Sequence, residues 1–261
     1  MSTWDDARRS IAALRASHDH LAALVGGMSD EELRAPSYDD EWSIGQVLSH
    51  LGSQSEIFEL FLDAALDGQP APGGEVFPPI WDVWNAKAPL QWRDDWHAAS
   101  EAHVARFEAI DDATAEAFSL EFFGRQLDLA AFVRMRLSEQ AVHTWDIEVM
   151  GDPAAVVAAD AVPLVLDDID RVVEGTAKGD GGPYRVRVGT HAPVRDLVVE
   201  VGDPVLVRDA EPDDAYDGSV DLPAEAFLRL VYGRLDADHT PEHSQSGTHG
   251  LSDLRAVFPG V

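Results

Sequence analysis

The sequence predicts an α+β fold, in which an antiparallel four-helix bundle precedes a smaller domain of helices and strands. Up to about residue 150, apolar side chains recur with the 3.6-residue period of amphipathic helices over long stretches. After residue 153, short valine-rich runs alternate with Gly, Pro and Asp, as they do in strands joined by turns. We therefore assign residues 1–153 to the helical domain and residues 154–261 to the mixed domain.

The first helix is predicted over residues 3–28, and the second long helix is predicted to begin just after Ser43. Ser43 can cap that helix, and Gln46 can reach back to complete a capping box. The apolar stripe that follows extends the second helix to about Leu66. His50 comes three residues after Val47 of this stripe, so we expect its side chain to face the interior.

A segment rich in Gly and Pro, residues 68–79, predicts a loop after the second long helix. Helical patterns resume at roughly 81–110 and again at about 126–150. Four long helices with loops between them are typical of an antiparallel bundle.

The C-terminal domain begins with a predicted single helix over residues 161–175. Strand-like runs follow at residues 184–190, 195–203, 204–209 and 216–223, and a further helix is predicted at 224–235. The tail, residues 239–250, contains His239, His243 and His249 but has the Ser, Gly and Pro content of a polar loop. We therefore do not expect these three histidines to form a metal site.

The formal net charge of −29 disfavours nucleic-acid and anionic-membrane partners, because both are negatively charged. No apolar run reaches the ~18 residues that a membrane-spanning helix needs. The charged N-terminus does not resemble a signal peptide. These features predict a soluble, cytoplasmic protein.

The chain contains no cysteine. Any bound metal must therefore be held by histidine and carboxylate side chains. For the same reason, any thiol chemistry must use a thiol supplied from outside the protein.

Three polar residues share one face of the predicted fourth helix. Glu139 and His143 are four residues apart, and Asp146 follows three residues later. The surrounding positions are largely apolar, and a carboxylate in such a setting needs a cation or hydrogen-bond donors. Arg136, three residues before Glu139, is one such partner. A metal ion is the other, and this helix pattern alone does not choose between them.

His50 of the second helix favours the metal. Two imidazoles and one carboxylate that converge inside a helical bundle are a known ligand set, and three protein ligands leave positions open for water or substrate. The other histidines are weaker candidates for metal ligands. His18 lies on an apolar stripe and is expected to be interior, whereas His97 and His103 are expected on an exposed or boundary face.

Two separated motifs carry a family resemblance. One is Pro36 followed by Trp42-Ser43-Ile44 and the run 47–51, and the other is the R-x-x-E-x-x-x-H-x-x-D pattern of residues 136–146. Together they resemble the DinB-like metalloenzymes and, more closely, the mycothiol-dependent maleylpyruvate isomerase family. Residues 217–235 are similar to the C-terminal region of that family, a small α+β domain of sterol-carrier-like shape.

The resemblance implies a DinB-like bundle with a divalent metal, typically zinc, held by His50, Glu139 and His143. It also implies mycothiol as the thiol cosubstrate. The Gly-Arg pair of the family is matched by Gly233 and Arg234, so Arg234 is expected to hold a carboxylate of the substrate.

Two further roles follow from the same resemblance. Asp146 is expected either to support a metal ligand from behind or to contact the sugar part of the thiol. Arg136 is expected to orient Glu139 and to be a cofactor-binding residue.

The implied reaction is attack of a metal-activated thiol on a small electrophile, either as an isomerase of the maleylpyruvate type or as a thiol S-transferase. Two alternatives remain open at this point. A metal-dependent hydrolase would use bound water at the same three ligands, and a non-catalytic bundle would only bind a small ligand.

Overall fold

A computed structural model describes residues 3–39, 41–179 and 182–260. The chain divides into two compact units, Met1–Asp152 and Pro153–Val261. The first unit is mainly helical, and the second contains a five-stranded sheet with helices. The predicted α+β class, with a helical N-terminal region and a sheet domain, is confirmed.

The first unit is built around four long helices. Its helices are α1 (Thr3–Val25), α2 (Asp30–Leu33), α3 (Ile44–Leu66), α4 (Phe77–Asn85), α5 (Pro89–Glu108), α6 (Asp112–Ala117) and α7 (Leu129–Glu148). A 3-10 turn at Gly74–Val76 precedes α4, and a hairpin of β1 (Leu120–Phe122) and β2 (Arg125–Leu127) precedes α7. Helix α1 packs on α7 and α3 packs on α5, while contacts of α1 with α5 and of α3 with α7 close the bundle.

The N-terminus of α3 follows the predicted capping box. The Ser43 hydroxyl accepts a hydrogen bond from the Gln46 backbone N–H at 3.2 Å, and the Gln46 side chain accepts one from the Ser43 N–H at 2.9 Å. Two backbone donors that a helix leaves unpaired at its start are thereby satisfied. The cap fixes the beginning of the helix that carries His50.

The third predicted helix, residues 81–110, is in fact two helices. Pro89 occupies the first turn of α5, and Ala88 before it is extended, at φ −87° and ψ 159°. A residue that precedes proline is sterically disfavoured in the helical region, so α4 ends before this point.

The structure also changes the predicted start of the fourth helix at about residue 126. Residues 120–127 form the β1–β2 hairpin, whose turn places Phe123 at φ 46° and Gly124 at φ 84°. Two positive φ angles are typical of a two-residue hairpin turn. Helix α7 begins after Asp128, whose side chain accepts a hydrogen bond from the Ala131 N–H at 2.8 Å.

The second unit combines one sheet with short helices. In chain order the helices and strands of this unit are α8 (Val162–Leu166), α9 (Ile169–Thr176), β3 (Tyr184–His191), β4 (Arg195–Val201), β5 (Leu206–Asp209), β6 (Gly218–Pro223), α10 (Ala224–Val231), β7 (Ser244–Gly247) and α11 (Leu251–Val257). The sheet order is β5-β4-β3-β6-β7, with only the β3–β6 pair parallel. Helix α10 packs on β3 and β6 and also contacts α8 and α9.

Two predictions for this unit are wrong. The single helix expected at residues 161–175 is divided into α8 and α9, with Asp167 and Asp168 between them. The tail expected to be a loop contributes β7, because Ser244–Gly247 pairs with the free edge of β6. Backbone pairing needs no apolar pattern, which explains why the polar sequence gave no sign of this strand.

Among the residues that the structure describes, no helix combines the length and the apolar character needed to span a bilayer.

The α3 cap gives a direct test of the bundle. Replacing Ser43 with Ala is expected to lower the free energy of unfolding by about 1 kcal/mol, because one backbone donor loses its partner. Urea unfolding followed by circular dichroism measures this change. Ser43→Asp, which keeps a side-chain acceptor, should stay close to wild type, and an unchanged midpoint in Ser43→Ala would contradict the role given to the cap.

Candidate metal centre

Helices α3 and α7 bring together the three residues that the sequence pattern selected. The distance from His50 Nε2 to Glu139 Oε2 is 3.2 Å, and that from His143 Nε2 to the same oxygen is 3.8 Å. One ligand atom from each residue lies within 4.8 Å of the other two. Because Glu139 and His143 are one turn apart on α7, a single helix face presents both towards α3.

The orientation of His143 suits a metal ligand. Its Nδ1 lies 2.8 Å from Oδ2 of Asp146, which is completely buried. A carboxylate accepts hydrogen bonds, so Nδ1 carries the proton and the lone pair of Nε2 faces Glu139 and His50. Carboxylates fix ligating histidines in this way in many metal sites. Of the two roles expected for Asp146, the burial supports the one behind the ligand and not a contact with the sugar of a thiol.

The charges at the site also fit a divalent cation. Burial lowers the pKa of His50 below its usual value, although the hydrogen bond with Glu139 opposes this. Burial alone would raise the pKa of Glu139, but the hydrogen bond with His50 and the nearby imidazoles hold it well below its usual range. A neutral imidazole and an ionised carboxylate are the forms that bind metal. The residues present therefore fit zinc or a similar ion.

The site is accessible on one side and bounded by an aromatic ring on another. The side chains of His50 and Glu139 are 25% and 31% exposed. The Trp42 ring lies 4.9 Å from the His50 ring and 6.0 Å from the His143 ring, between centroids. Trp42 belongs to the first sequence motif, but its position beside both imidazoles was not predicted.

Gln54 is the site residue that sequence reasoning missed. It lies one turn after His50 on α3, and its Nε2 donates to Glu139 Oε2 at 2.7 Å. The same nitrogen is 3.0 Å from His50 Nε2, while the amide oxygen is buried without a hydrogen-bond partner. The four-residue spacing from His50 was the only available signal.

Arg136 does not orient Glu139 as expected, and it is too deeply buried to contact a thiol, with 1% of its surface exposed. Its Nη2 donates to the Gln140 side chain at 3.0 Å and to the Leu51 carbonyl and Ser55 hydroxyl at 3.3 Å. Burial lowers the pKa of Arg136 to about 10, so the guanidinium remains charged at neutral pH. The side chain points across to α3, and it influences Glu139 through its charge and not through a hydrogen bond.

Of the burial predictions for two other histidines on the bundle helices, one is confirmed and one is wrong. His18 is buried and lies 3.0 Å from the Ser100 hydroxyl, so the expected interior position is confirmed. His103 was expected on an exposed or boundary face, which is wrong. It is 1% exposed and hydrogen-bonds Glu59 of α3, because its side of α5 packs against that helix.

A second group of possible ligands, His18, Asp19 and Glu101, lies between α1 and α5. Arg15 forms an ion pair with Glu101 there and neutralises its charge. A cation at this position would be opposed by that guanidinium, so this group is a poorer candidate than the one on α3 and α7.

The tail histidines each have separate neighbours. His239 bonds Asp236, the His243 Nδ1 donates to the Pro241 carbonyl at 3.1 Å, and the His249 ring stacks on Tyr184 at 3.9 Å. They belong to neither group of possible metal ligands found in the described part of the chain.

Arg234 belongs to the second unit. Its side chain is largely buried, and Nη1 donates to the Tyr232 carbonyl at 2.7 Å. Gly233 before it has φ 73°, and a Cβ there would lie 2.3 Å from the Gly260 Cα, so only glycine fits.

A helical bundle with a His-Glu-His cluster between two of its helices defines the first unit as a candidate metalloprotein. A family model described as "Mycothiol maleylpyruvate isomerase N-terminal domain" matches residues 14–148, about half of the chain and including all three candidate ligands. The chain belongs to this family, as the sequence motifs predicted.

Two solved structures resemble the whole chain in fold. One is a crystal structure of a mycothiol-dependent maleylpyruvate isomerase, with TM-score 0.62 and 14% identity over 92% of this chain and 99% of that one. The other is a histidine-to-alanine mutant of a mycothiol-dependent maleylpyruvate isomerase, with TM-score 0.64 and 14% identity over 94% and 96% of the two chains.

One curated relative matches a shorter segment. It is a Geobacillus thermodenitrificans (strain NG80-2) protein named "Putative metal-dependent hydrolase", 41% identical over 51 residues. This match covers 20% of the present chain and 29% of the relative.

The candidate ligands give the next prediction. Replacing His143 with Ala should weaken binding of a divalent metal at least ~10-fold, because the remaining two ligands cannot hold the ion as firmly. Metal content after dialysis, measured by elemental analysis, reports this loss. The matched control replaces His239, His243 and His249 with Gln and should keep one ion per chain. The reverse pattern would place the metal in the tail.

Proposed function

We propose that the protein is a zinc enzyme. His50, Glu139 and His143 bind the divalent metal, and the enzyme uses it to activate mycothiol. The observation that supports this most is the convergence of two imidazoles and a carboxylate between α3 and α7. Family membership supports mycothiol as the thiol. The absence of cysteine agrees with a sulfur supplied from outside.

The ligands and their neighbours prepare the site before any thiol arrives. Asp146 holds the proton of His143 on Nδ1, so that Nε2 is available as a ligand. Glu139 supplies a negative charge that offsets part of the charge of the cation. When bound, zinc lowers the pKa of a coordinated thiol and so provides a thiolate at neutral pH.

The thiolate then attacks a small electrophile with an activated double bond. In the isomerase form of the proposal, a sulfur electron pair forms a C–S bond and the π electrons move onto the conjugated carbonyl as an enolate. The former double bond rotates, the enolate re-forms it, and the thiolate leaves unchanged. In the S-transferase form, the enolate is protonated instead and the C–S bond is kept. Maleylpyruvate is the substrate that the family suggests for the isomerase.

Arg234 is the proposed carboxylate-binding residue. A guanidinium presents a planar pair of donors that matches a substrate carboxylate. Gly233, directly before Arg234, lies at a position where only glycine fits. This constraint supports a fixed position for Arg234 within the second unit.

A metal-dependent hydrolase is the alternative that one observation favours. The relative of 51 matched residues carries a hydrolase name, and water would occupy the same open positions as the thiol. A hydrolase would need no external thiol, which separates the two proposals experimentally.

The thiol proposal predicts a spectroscopic change. Adding mycothiol to the cobalt-substituted protein should produce a sulfur-to-cobalt charge-transfer band, because the thiolate sulfur binds the metal directly. S-methylated mycothiol is the matched control and should give no band, since it has no thiolate. With zinc enzyme and maleylpyruvate, a constant thiol concentration during turnover indicates the isomerase, and loss of one thiol per product indicates the S-transferase.

A different pair of results would support the hydrolase instead of the thiol-dependent enzyme. If saturating mycothiol leaves the cobalt spectrum unchanged while the protein cleaves an ester or amide without any thiol, the hydrolase alternative is correct.

A further inference from the structure

We propose that Gln54 is a fourth protein ligand, whose amide oxygen binds the ion held by His50, Glu139 and His143. This inference rests on the proposed metal centre and adds to it a donor that the three-ligand pattern does not contain. Asparagine and glutamine carbonyls are oxygen donors for divalent cations, so the chemistry of the side chain is suitable.

The end of the Gln54 side chain lies close to two of the candidate ligand atoms. With metal–ligand bonds of about 2.0–2.2 Å, two ligand atoms of one ion lie roughly 3 to 3.5 Å apart. The outer nitrogen of the Gln54 amide is 2.7 Å from Glu139 Oε2 and 3.0 Å from His50 Nε2. The end of this side chain therefore lies beside two of the candidate ligand atoms, at the lower end of this range from His50 and at hydrogen-bond distance from Glu139.

The orientation of the amide depends on the charge beside it. Next to a carboxylate oxygen alone, the amide presents its N–H because two oxygens would repel each other. Next to a divalent cation, the oxygen end is favoured. A half-turn about the last side-chain torsion exchanges the two ends, and this torsion is broad and roughly two-fold.

The half-turn would exchange the hydrogen bond from Gln54 Nε2 to Glu139 Oε2 for a bond between the amide oxygen and the cation. Gln54 Oε1 is buried and has no hydrogen-bond partner, so the turn breaks no hydrogen bond to that oxygen. Burying an amide oxygen without a partner costs free energy. Binding to a cation would give this oxygen the partner that it lacks in its present position.

The position of Gln54 on α3 supports the same conclusion. It is one helical turn from His50, just as His143 is one turn from Glu139 on α7. Each helix thus contributes a pair of residues at i and i+4 to the site, and the two pairs face each other. The amide oxygen of this fourth ligand is uncharged and binds a cation more weakly than imidazole or carboxylate. An incoming thiol would therefore replace Gln54 more readily than any of the other three ligands.

Cobalt binding tests this role, because the visible spectrum of cobalt(II) reports the number and type of its donors. Gln54→Leu should weaken cobalt binding ~10-fold and change the shape and intensity of the visible bands, since water replaces the amide oxygen. Gln54→Glu, which keeps an oxygen at this position, should retain tight binding. The matched control is Gln69→Leu, the same substitution at an exposed position of the same unit, and it should behave as wild type.

Two results would overturn the proposal in distinguishable ways. If Gln54→Leu binds cobalt more weakly but with an unchanged spectrum, Gln54 only donates a hydrogen bond to Glu139 and is not a ligand. The same conclusion holds if neither affinity nor spectrum changes while His143→Ala loses the metal. If His143→Ala also binds cobalt as wild type does, the metal centre itself is misplaced, and the proposed function fails together with this inference.

Discussion

The Glu139 carboxylate is the group on which the candidate site depends, because it lies within reach of His50, His143 and Gln54. About two thirds of its side chain is withdrawn from solvent, yet it remains ionised between the imidazoles of His50 and His143. The hydrogen bonds from Gln54 and His50 give only part of what a largely buried charge requires. The hydrogen bonds of Arg136 go to Leu51, Ser55 and Gln140 and not to Glu139, so a cation shared with the two imidazoles, as we propose, would stabilise this carboxylate further.

The surrounding residues hold α3 and α7 together at the candidate site. Arg136, three residues before Glu139 on α7, reaches the Leu51 carbonyl, next to His50, and the Ser55 hydroxyl of α3. Asp146 fixes the His143 ring from behind, and the Trp42 ring lies beside both imidazoles. The positions of the candidate ligands are therefore set by packing and hydrogen bonds of the protein, as they would be in a preorganised metal site.

Much of this could be predicted from the sequence, because local signals specify local structure. The Ser43 cap, the i, i+4 pair on α7 and the interior direction of His50 follow from helical geometry alone. The partner of Arg136, the burial of His103 and the contribution of Gln54 depend on which side of another helix each residue meets. Sequence spacing does not show which residue of another helix a side chain meets. The β7 strand is unpredictable for a related reason, because its backbone pairing with β6 leaves no apolar pattern in the sequence.

The most direct test of the account is X-ray absorption at the zinc edge, measured on the zinc-loaded protein before and after addition of mycothiol. The chain has no cysteine, so we predict only nitrogen and oxygen donors before addition. After addition, one sulfur should appear at about 2.3 Å from zinc, the usual zinc–thiolate distance. A shell that still contains only nitrogen and oxygen at saturating mycothiol would contradict the claim that this site binds and activates an external thiol.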